Sequence, residues 1–206
     1  MAYTIRPART RDVPMVRKLI DSNVESGRLL SKATVTLYED VQEFCVAELV
    51  DDASLAGCGA LHVMWEDLAE IRTVAVVPDR QGFGIGHAIV EELLTRARVL
   101  GVSRVFCLTF AVDFFARHGF QPISGTPVAA EVYSELLRSY DEGVAEFLDL
   151  ERVKPNTLGN TRMLVRLLPE REMSIGVAHE TVQAQREHRP RRAGRRTALC
   201  GRTWPR

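Results

Sequence analysis

The residues with the clearest chemical content run from Val74 to Ile89, Val-Ala-Val-Val-Pro-Asp-Arg-Gln-Gly-Phe-Gly-Ile-Gly-His-Ala-Ile. Glycines alternate at positions 82, 84 and 86, after a strand-like stretch and at the head of a helix-like one. Glycine accepts the left-handed backbone that a tight loop needs. The N–H groups of such a loop converge on an anion, and the dipole of a following helix adds to the attraction. A pyrophosphate suits that arrangement. Two named phosphate motifs are rejected, because no Gly-Lys-Ser/Thr follows and the spacing is not Gly-x-Gly-x-x-Gly. Glycines also end strands for purely structural reasons, so the run alone leaves both readings open.

Other reactive side chains carry weaker signals. Cys45, Cys58, Cys107 and Cys200 are scattered without a Cys-x-x-Cys pair, which argues against a disulfide framework and a zinc site and for buried free thiols. His62, His118 and Trp65 show no paired ligand spacing, and His118 precedes a helix-ending Gly119. No metal is expected.

The elements that must position the glycine run can be read from period and punctuation. Tyr3 and Ile5 suggest a short strand, and Thr10 reads as the N-cap of a helix whose Val13, Val16, Leu19 and Ile20 share a face. A second short helix fits Thr34 to Phe44 and leads into an apolar strand, with a turn at Asp51 to Ser54. Leu55 to Trp65 and Glu70 to Val77 alternate as an antiparallel hairpin around Glu66-Asp67-Leu68. Ile85, Ile89, Leu93, Ala97 and Leu100 then recur at helical spacing before Gly101. The strand from Arg104 completes a βαβ unit. A short helix over Asp113 to His118 and a closing strand over Arg162 to Leu168 follow.

The chain has 206 residues, 46% of them hydrophobic and with zero formal net charge, enough for one domain with a real core. No apolar run approaches the ~18 residues that cross a bilayer. The N-terminus lacks a basic stretch followed by an apolar one, so a cytoplasmic protein is expected. From Pro169 onward nine arginines face four glutamates, which leaves the body with five acidic groups in excess. Residues 169–206, without apolar periodicity, read as a basic, disordered tail. Such a tail can bind nucleic acid or anionic lipid, but with few aromatics a solvated extension is the expectation.

Gln81-Gly-Phe-Gly-Ile-Gly86 resembles the acetyl-CoA signature Gln/Arg-x-x-Gly-x-Gly/Ala of the GNAT N-acetyltransferases. The strand Glu70 to Pro78 and the segment Phe114-Phe-Ala-Arg-His-Gly-Phe120 look like that family too. Over the body, Leu37 to Phe44, Gly57 to His62, Glu70 to Val76 and Val153 to Arg162 resemble short, stand-alone amino-acid N-acetyltransferases of the N-acetylglutamate synthase type. The resemblance implies an α/β, GNAT-type mixed and mostly antiparallel sheet flanked by helices, a single N-acetyltransferase domain over residues 1–168. Strands four and five would be splayed to admit acetyl-CoA. The chain leaves no room for the amino-acid-kinase-like domain of longer synthases, so its feedback machinery is not expected.

What the resemblance implies for individual residues is specific. Glu70 stands where many members place a carboxylate base, the other reading being a turn residue or partner of Arg72. Backbone groups of Val74, Ala75 and Val76 would hold the pantetheine arm, with the Val74 N–H on the thioester oxygen. Gln81, Gly82, Phe83, Gly84, Ile85, Gly86 and His87 would hold the pyrophosphate, with His87 alternatively a helix-surface residue. Phe115 replaces the tyrosine that many relatives use as general acid, leaving Tyr133, Tyr140, water or no dedicated acid. The implied acceptor is an amino acid, foremost the α-amino group of L-glutamate at the first step of arginine biosynthesis. Its carboxylates need cations. Arg72, which shares a strand face with Glu70, is the first candidate, with Lys32 and Arg162 next; surface solvation or a structural ion pair is the alternative for each. Another small amine, a protein amino group, or an acetyl-CoA sensor without catalysis remain rival readings. A homodimer is left open.

Overall fold

The computed structural model describes residues 1–24, 29, 31–148 and 160–167. The tail over 169–206 and the segment 153–159 lie outside the described residues.

Seven strands form one sheet in the order β1-β2-β3-β4-β5-β7-β6. They are β1 (Tyr3–Pro7), β2 (Phe44–Leu49), β3 (Leu55–Trp65), β4 (Leu68–Val76), β5 (Arg104–Thr109), β6 (Gln121–Pro122) and β7 (Thr161–Arg166). Every neighbouring pair is antiparallel except β4 and β5. That parallel pair is the βαβ unit, joined by α3 (Ile85–Val99). The α3 stripe Ile85, Ile89, Leu93 and Ala97 is buried on one face of the sheet. It lies close because β3 offers glycine: a Cβ at Gly59 would stand 2.6 Å from Ile89 Cγ2, so α3 rests on backbone. The opposite face is covered by α1 (Val13–Val24) and α2 (Thr34–Glu39), through Val13, Val16, Leu19, Ile20 and Leu37. The remaining helices are α4 (Val112–Ala116), α5 (Ala130–Leu136) and α6 (Glu142–Phe147). Around Phe106 and Phe147, α5 and α6 build a third apolar cluster over the β5 end of the sheet.

Thr10 is not the cap expected from sequence. A 3₁₀ turn over Thr10–Asp12 precedes α1, and the Asp12 carboxylate accepts the Arg9 N–H at 2.8 Å. Arg6 clamps that carboxylate at 2.7 Å, which holds Asp12 well below the usual carboxylate range. The hairpin link is also shorter than expected, since Leu68 is the first residue of β4. The elements β6, α5 and α6 have too little periodicity to be read from sequence.

Candidate active site

Pairing between β4 and β5 covers only Leu68 with Arg104, Ala69 with Val105 and Glu70 with Phe106. Beyond Glu70 the strands part, and β4 continues to Val76 with one backbone edge unclaimed by β5. A cleft of about 690 Å³ opens there, walled by Arg72 to Val76 on one side and Leu108 to Ala111, Phe114, Phe115 and Arg117 on the other. Its floor is the glycine loop, with Gln81, Gly82, Gly84, Ile85, Gly86 and His87.

A bulge in β4 shapes the cleft. Ala60 of β3 faces Arg72 while Cys58 faces Ala75, so β4 carries one extra residue. The bulge centres on Thr73, a β-branched residue at φ 59°, where only glycine is free of strain. Cys58 donates its thiol hydrogen to the Thr73 carbonyl at 3.7 Å. Burial pushes that thiol up to about 12, and those of Cys45 and Cys107 upward too, as expected of inert core cysteines. Cys200 lies outside the described residues.

The loop has the features of an anion cradle. Gly82 and Gly84 both sit at φ 81°, and Gly84 caps α3 without any side-chain bond. The first helical bond runs from Ala88 N to Gly84 O at 3.0 Å, so the N–H groups of Ile85, Gly86 and His87 have no intrahelical acceptor. A Cβ at Gly86 would meet the Phe114 ring at 3.3 Å, which explains how α4 closes on the loop. Gln81 donates its side-chain amide to Val76 O at 3.3 Å, tying loop to strand. These donors fit the phosphates of acetyl-CoA. Phe83 is an exposed residue whose side chain does not line the cleft.

The other end of the site is ionic. Glu70, 4% exposed, is the last paired residue before the strands part and lies below the cleft lining. Gly143, in the first turn of α6, packs so close to it that a Cβ there would collide with the Glu70 carboxylate. One terminal nitrogen of Arg72 donates to Asp141 at 2.8 Å; the other donates to Glu43 at 2.9 Å and reaches Asp40 at 3.4 Å. Glu70 is 3.9 Å from the same guanidinium. His62, directly across the β3–β4 ladder from Glu70, bonds Glu43 at 2.7 Å and lies 3.8 Å from Asp141. Four carboxylates thus face one arginine and one histidine. Burial alone would raise Asp141, but the Arg72 hydrogen bond, the charges of Arg72 and His62 and the Val144 N–H together outweigh it and hold the carboxyl below its ordinary range. His62 goes the other way: burial lowers it, and the Glu43 hydrogen bond together with the charges of Glu43 and Asp141 overrides that and raises it.

Of the three cations expected to face a substrate, only Arg72 lines the cleft. Lys32 is half-buried outside it, its carbonyl accepting from Arg17 at 2.9 Å. Arg162 also lies outside the lining; it donates to the Phe147 carbonyl and stacks over Phe106 at 5.9 Å. Exposed Arg80 and Arg117 do line the cleft, unheralded by any motif. Neither tyrosine named as a stand-in acid lines it: Tyr133 packs on the Phe106 cluster, and Tyr140 is 97% exposed. Among the described residues there is no cluster of side chains fit to hold a metal ion, and no helix is long and apolar enough to cross a membrane.

The profile of the acetyltransferase (GNAT) family matches residues 15–120. An amino-acid acetyltransferase of Mycobacterium tuberculosis is 62% identical over 165 residues, which span 79% of this chain and 94% of that protein. The crystal structure of Rv2747 from Mycobacterium tuberculosis, in complex with CoA and NLQ, superposes with a TM-score of 0.77 at 61% identity, covering 80% of this chain and 99% of that one. The N-acetylglutamate synthase of Neisseria gonorrhoeae, complexed with coenzyme A and N-acetyl-glutamate, gives a TM-score of 0.64 at 27% identity; 82% of this chain is covered but only 36% of the synthase. The splayed sheet, the glycine cradle and these likenesses agree: the chain belongs to the acetyltransferase (GNAT) family, as an enzyme that transfers acetyl from acetyl-CoA to an amino acid.

Proposed function

We propose that the acceptor is L-glutamate, acetylated on its α-amino group at the first step of arginine biosynthesis, by direct attack of the amine on the thioester. The observation that carries this reading is the 62% identity to an amino-acid acetyltransferase along almost its whole length. The gonorrhoeal synthase, whose structure holds N-acetyl-glutamate, supports the choice of amino acid.

In this reading the Ile85, Gly86 and His87 N–H groups hold the pyrophosphate, and the free edge of β4 from Val74 to Val76 holds the pantetheine arm as an added strand. The bulge at Thr73 turns the Val74 N–H toward the thioester oxygen, where a fixed donor stabilises the charge that develops during attack. An amino acid reaches the site as an ammonium, and Glu70 takes its proton, directly or through a water. Acetyl-CoA supplies the activated acyl group. No tyrosine lines the cleft, so the leaving thiolate takes its proton from water or from the nitrogen that becomes the amide.

Arg72 is engaged on both terminal nitrogens, so a substrate carboxylate meets it by taking the place of Asp40, the longest of its three hydrogen bonds at 3.4 Å. The excess of carboxylates around Arg72 favours a second reading, in which the acceptor is a polyamine or an aminoglycoside. The test is CoA release with a panel of amino acids, polyamines and an aminoglycoside, with mass spectrometry of the product. Selective turnover of glutamate, yielding an N-acetyl product, is the expected result. Turnover of polyamines with glutamate inert would replace the first reading by the second.

A further inference from the structure

On the phosphate side of the cleft, three side chains from two segments form a chain that the loop signature does not contain. His87, in the first turn of α3, lies against Phe114 with ring centroids 4.7 Å apart. Its Nδ1 is 2.8 Å from Nε2 of His118, which follows α4. Nδ1 of His118 is in turn 2.6 Å from the Glu91 carboxylate, one helical turn along α3 from His87. The His118 side chain is only 4% exposed, while that of Glu91 is 61% exposed. Nε2 of His87 is left as the ring nitrogen of this cleft-lining residue without a partner among the described residues.

Proton counting limits what this chain can present. An ionised carboxylate only accepts, so His118 must carry its proton on Nδ1. With both rings neutral, the contact between them then requires His87 to donate from Nδ1 to His118 Nε2. The outward Nε2 of His87 is in that state a bare lone pair, which repels a phosphate oxygen. One added proton changes the outcome. The rings then share three protons, one facing Glu91, one between the rings and one on His87 Nε2, which becomes a donor backed by positive charge. Glu91 balances that charge through His118. The charged groups on the elements flanking the loop are Asp79 and Arg80 before it, and Asp113 and Arg117 on and after α4. Two carboxylates against two guanidiniums leave no net bias, so the arrival of anionic phosphate is the event that shifts the balance.

We infer that Glu91 and His118 are positioning residues that hold His87 with its Nε2–H directed at a phosphate oxygen of acetyl-CoA, and that this histidine pair takes up a proton when the cofactor binds. The inference rests on the reading of Gln81 to His87 as the phosphate loop. It adds one charge-assisted side-chain donor to a cradle otherwise built from backbone, in a loop that has no lysine.

The test is calorimetric titration of the protein with CoA in buffers of one pH and different ionisation enthalpy. The dependence of the heat on buffer counts the protons taken up. Wild-type protein is expected to take up a measurable fraction of a proton per CoA. Glu91→Gln, a change at an exposed site, is expected to reduce the uptake and weaken CoA about 10-fold, the scale of a charged hydrogen bond. His87→Gln is expected to abolish the uptake. Binding of pantetheine, which has no phosphate, should be the same in all three proteins. Comparing CoA with 3′-dephospho-CoA identifies the phosphate, because uptake persists with the latter if the pyrophosphate is the partner and vanishes if the 3′-phosphate is. Buffer-independent heats in the wild type, or equal CoA affinity and uptake in Glu91→Gln, would overturn the inference. Failure of the loop reading looks different: CoA would then bind no more tightly than pantetheine.

Discussion

The two ends of this cleft are built in opposite ways. The phosphate end in this reading is written largely in one unbroken stretch, 74 to 87, where two glycines at φ 81° set the main-chain N–H groups. The acceptor end is assembled from separate places: Asp40 and Glu43 after α2, His62 on β3, Glu70 and Arg72 on β4, and Asp141 before α6. A backbone cradle tolerates side-chain change and fails when its dihedral angles are disturbed. A buried ionic cluster tolerates small backbone shifts and fails when one charge is removed, because its partners stay behind. Mutations at the two ends should therefore differ in kind.

The largest expected effect belongs to Glu70→Gln. It keeps the shape of the side chain beside Gly143 and removes the carboxylate proposed as the base. Turnover should fall about a thousandfold, or about 4 kcal/mol of barrier, with CoA affinity unchanged within about twofold. Steady-state kinetics paired with CoA titration checks both halves. A parallel loss of CoA affinity would show that the two ends are not separable, and an unchanged rate across pH would remove Glu70 as the base.

Arg72→Met comes next. The cation is largely buried and holds Asp141, Glu43 and Asp40 with Glu70 close by, so its removal leaves four carboxylates facing only His62. A loss of about 3 kcal/mol in urea unfolding is expected, together with a raised Michaelis constant for the amino acid. If the protein loses stability while that constant stays the same, Arg72 is structural and not a carboxylate anchor.

At the phosphate end the expected effect is smaller and purely conformational. Gly84→Ala places a Cβ at φ 81°, 3.6 Å from the Tyr3 hydroxyl, so space is available but the backbone is strained by about 1–2 kcal/mol. Weaker CoA binding is expected, with turnover at saturating acetyl-CoA little changed. Lower turnover at saturation would mean that the loop also sets the geometry of the thioester.

The same contrast explains what could be read from the sequence. Alternate glycines between a strand and a helix have a local physical meaning, so the cradle was legible, as were the core faces of α1 and α3. The acceptor network was not. Asp141 lies just ahead of a six-residue helix in a stretch without periodicity, and no spacing links it to Arg72, 69 positions away. Lys32 and Arg162 show the converse, because a charge in sequence does not name its partner, and neither lines the cleft. Arg162 turned out to be held by a carbonyl and an aromatic ring in the third cluster. The missing tyrosine at Phe115 was visible, but that neither Tyr133 nor Tyr140 lines the cleft needed coordinates.

The smallest predicted effect separates the two ends by pH. His62 is raised above its ordinary value because burial, which lowers it, is outweighed by the Glu43 hydrogen bond and the Glu43 and Asp141 charges together, so protonated His62 stabilises the fold. That contribution is full below the unfolded value of about 6.5 and fades as pH climbs through the folded value. Asp141 is depressed, so its contribution is present above about 4 and is lost as pH falls. The cluster is therefore most stabilising between those limits. His62→Gln, which can still donate to Glu43, should lower stability by about 1 kcal/mol near pH 5.5 and by progressively less above neutrality. Thermal unfolding of both proteins across pH measures the gap. A gap that does not change with pH would make His62 a neutral packing residue and leave Arg72 as the sole charge opposing four carboxylates. The CoA affinity of His62→Gln should follow that of the wild type at every pH, since among the described residues the hydrogen bond and ion pairs of His62 go to Glu43 and Asp141 and not to the glycine loop. A shared shift would mean that charge at one end of the cleft is felt at the other, as a buried network in a low-dielectric cleft could transmit it.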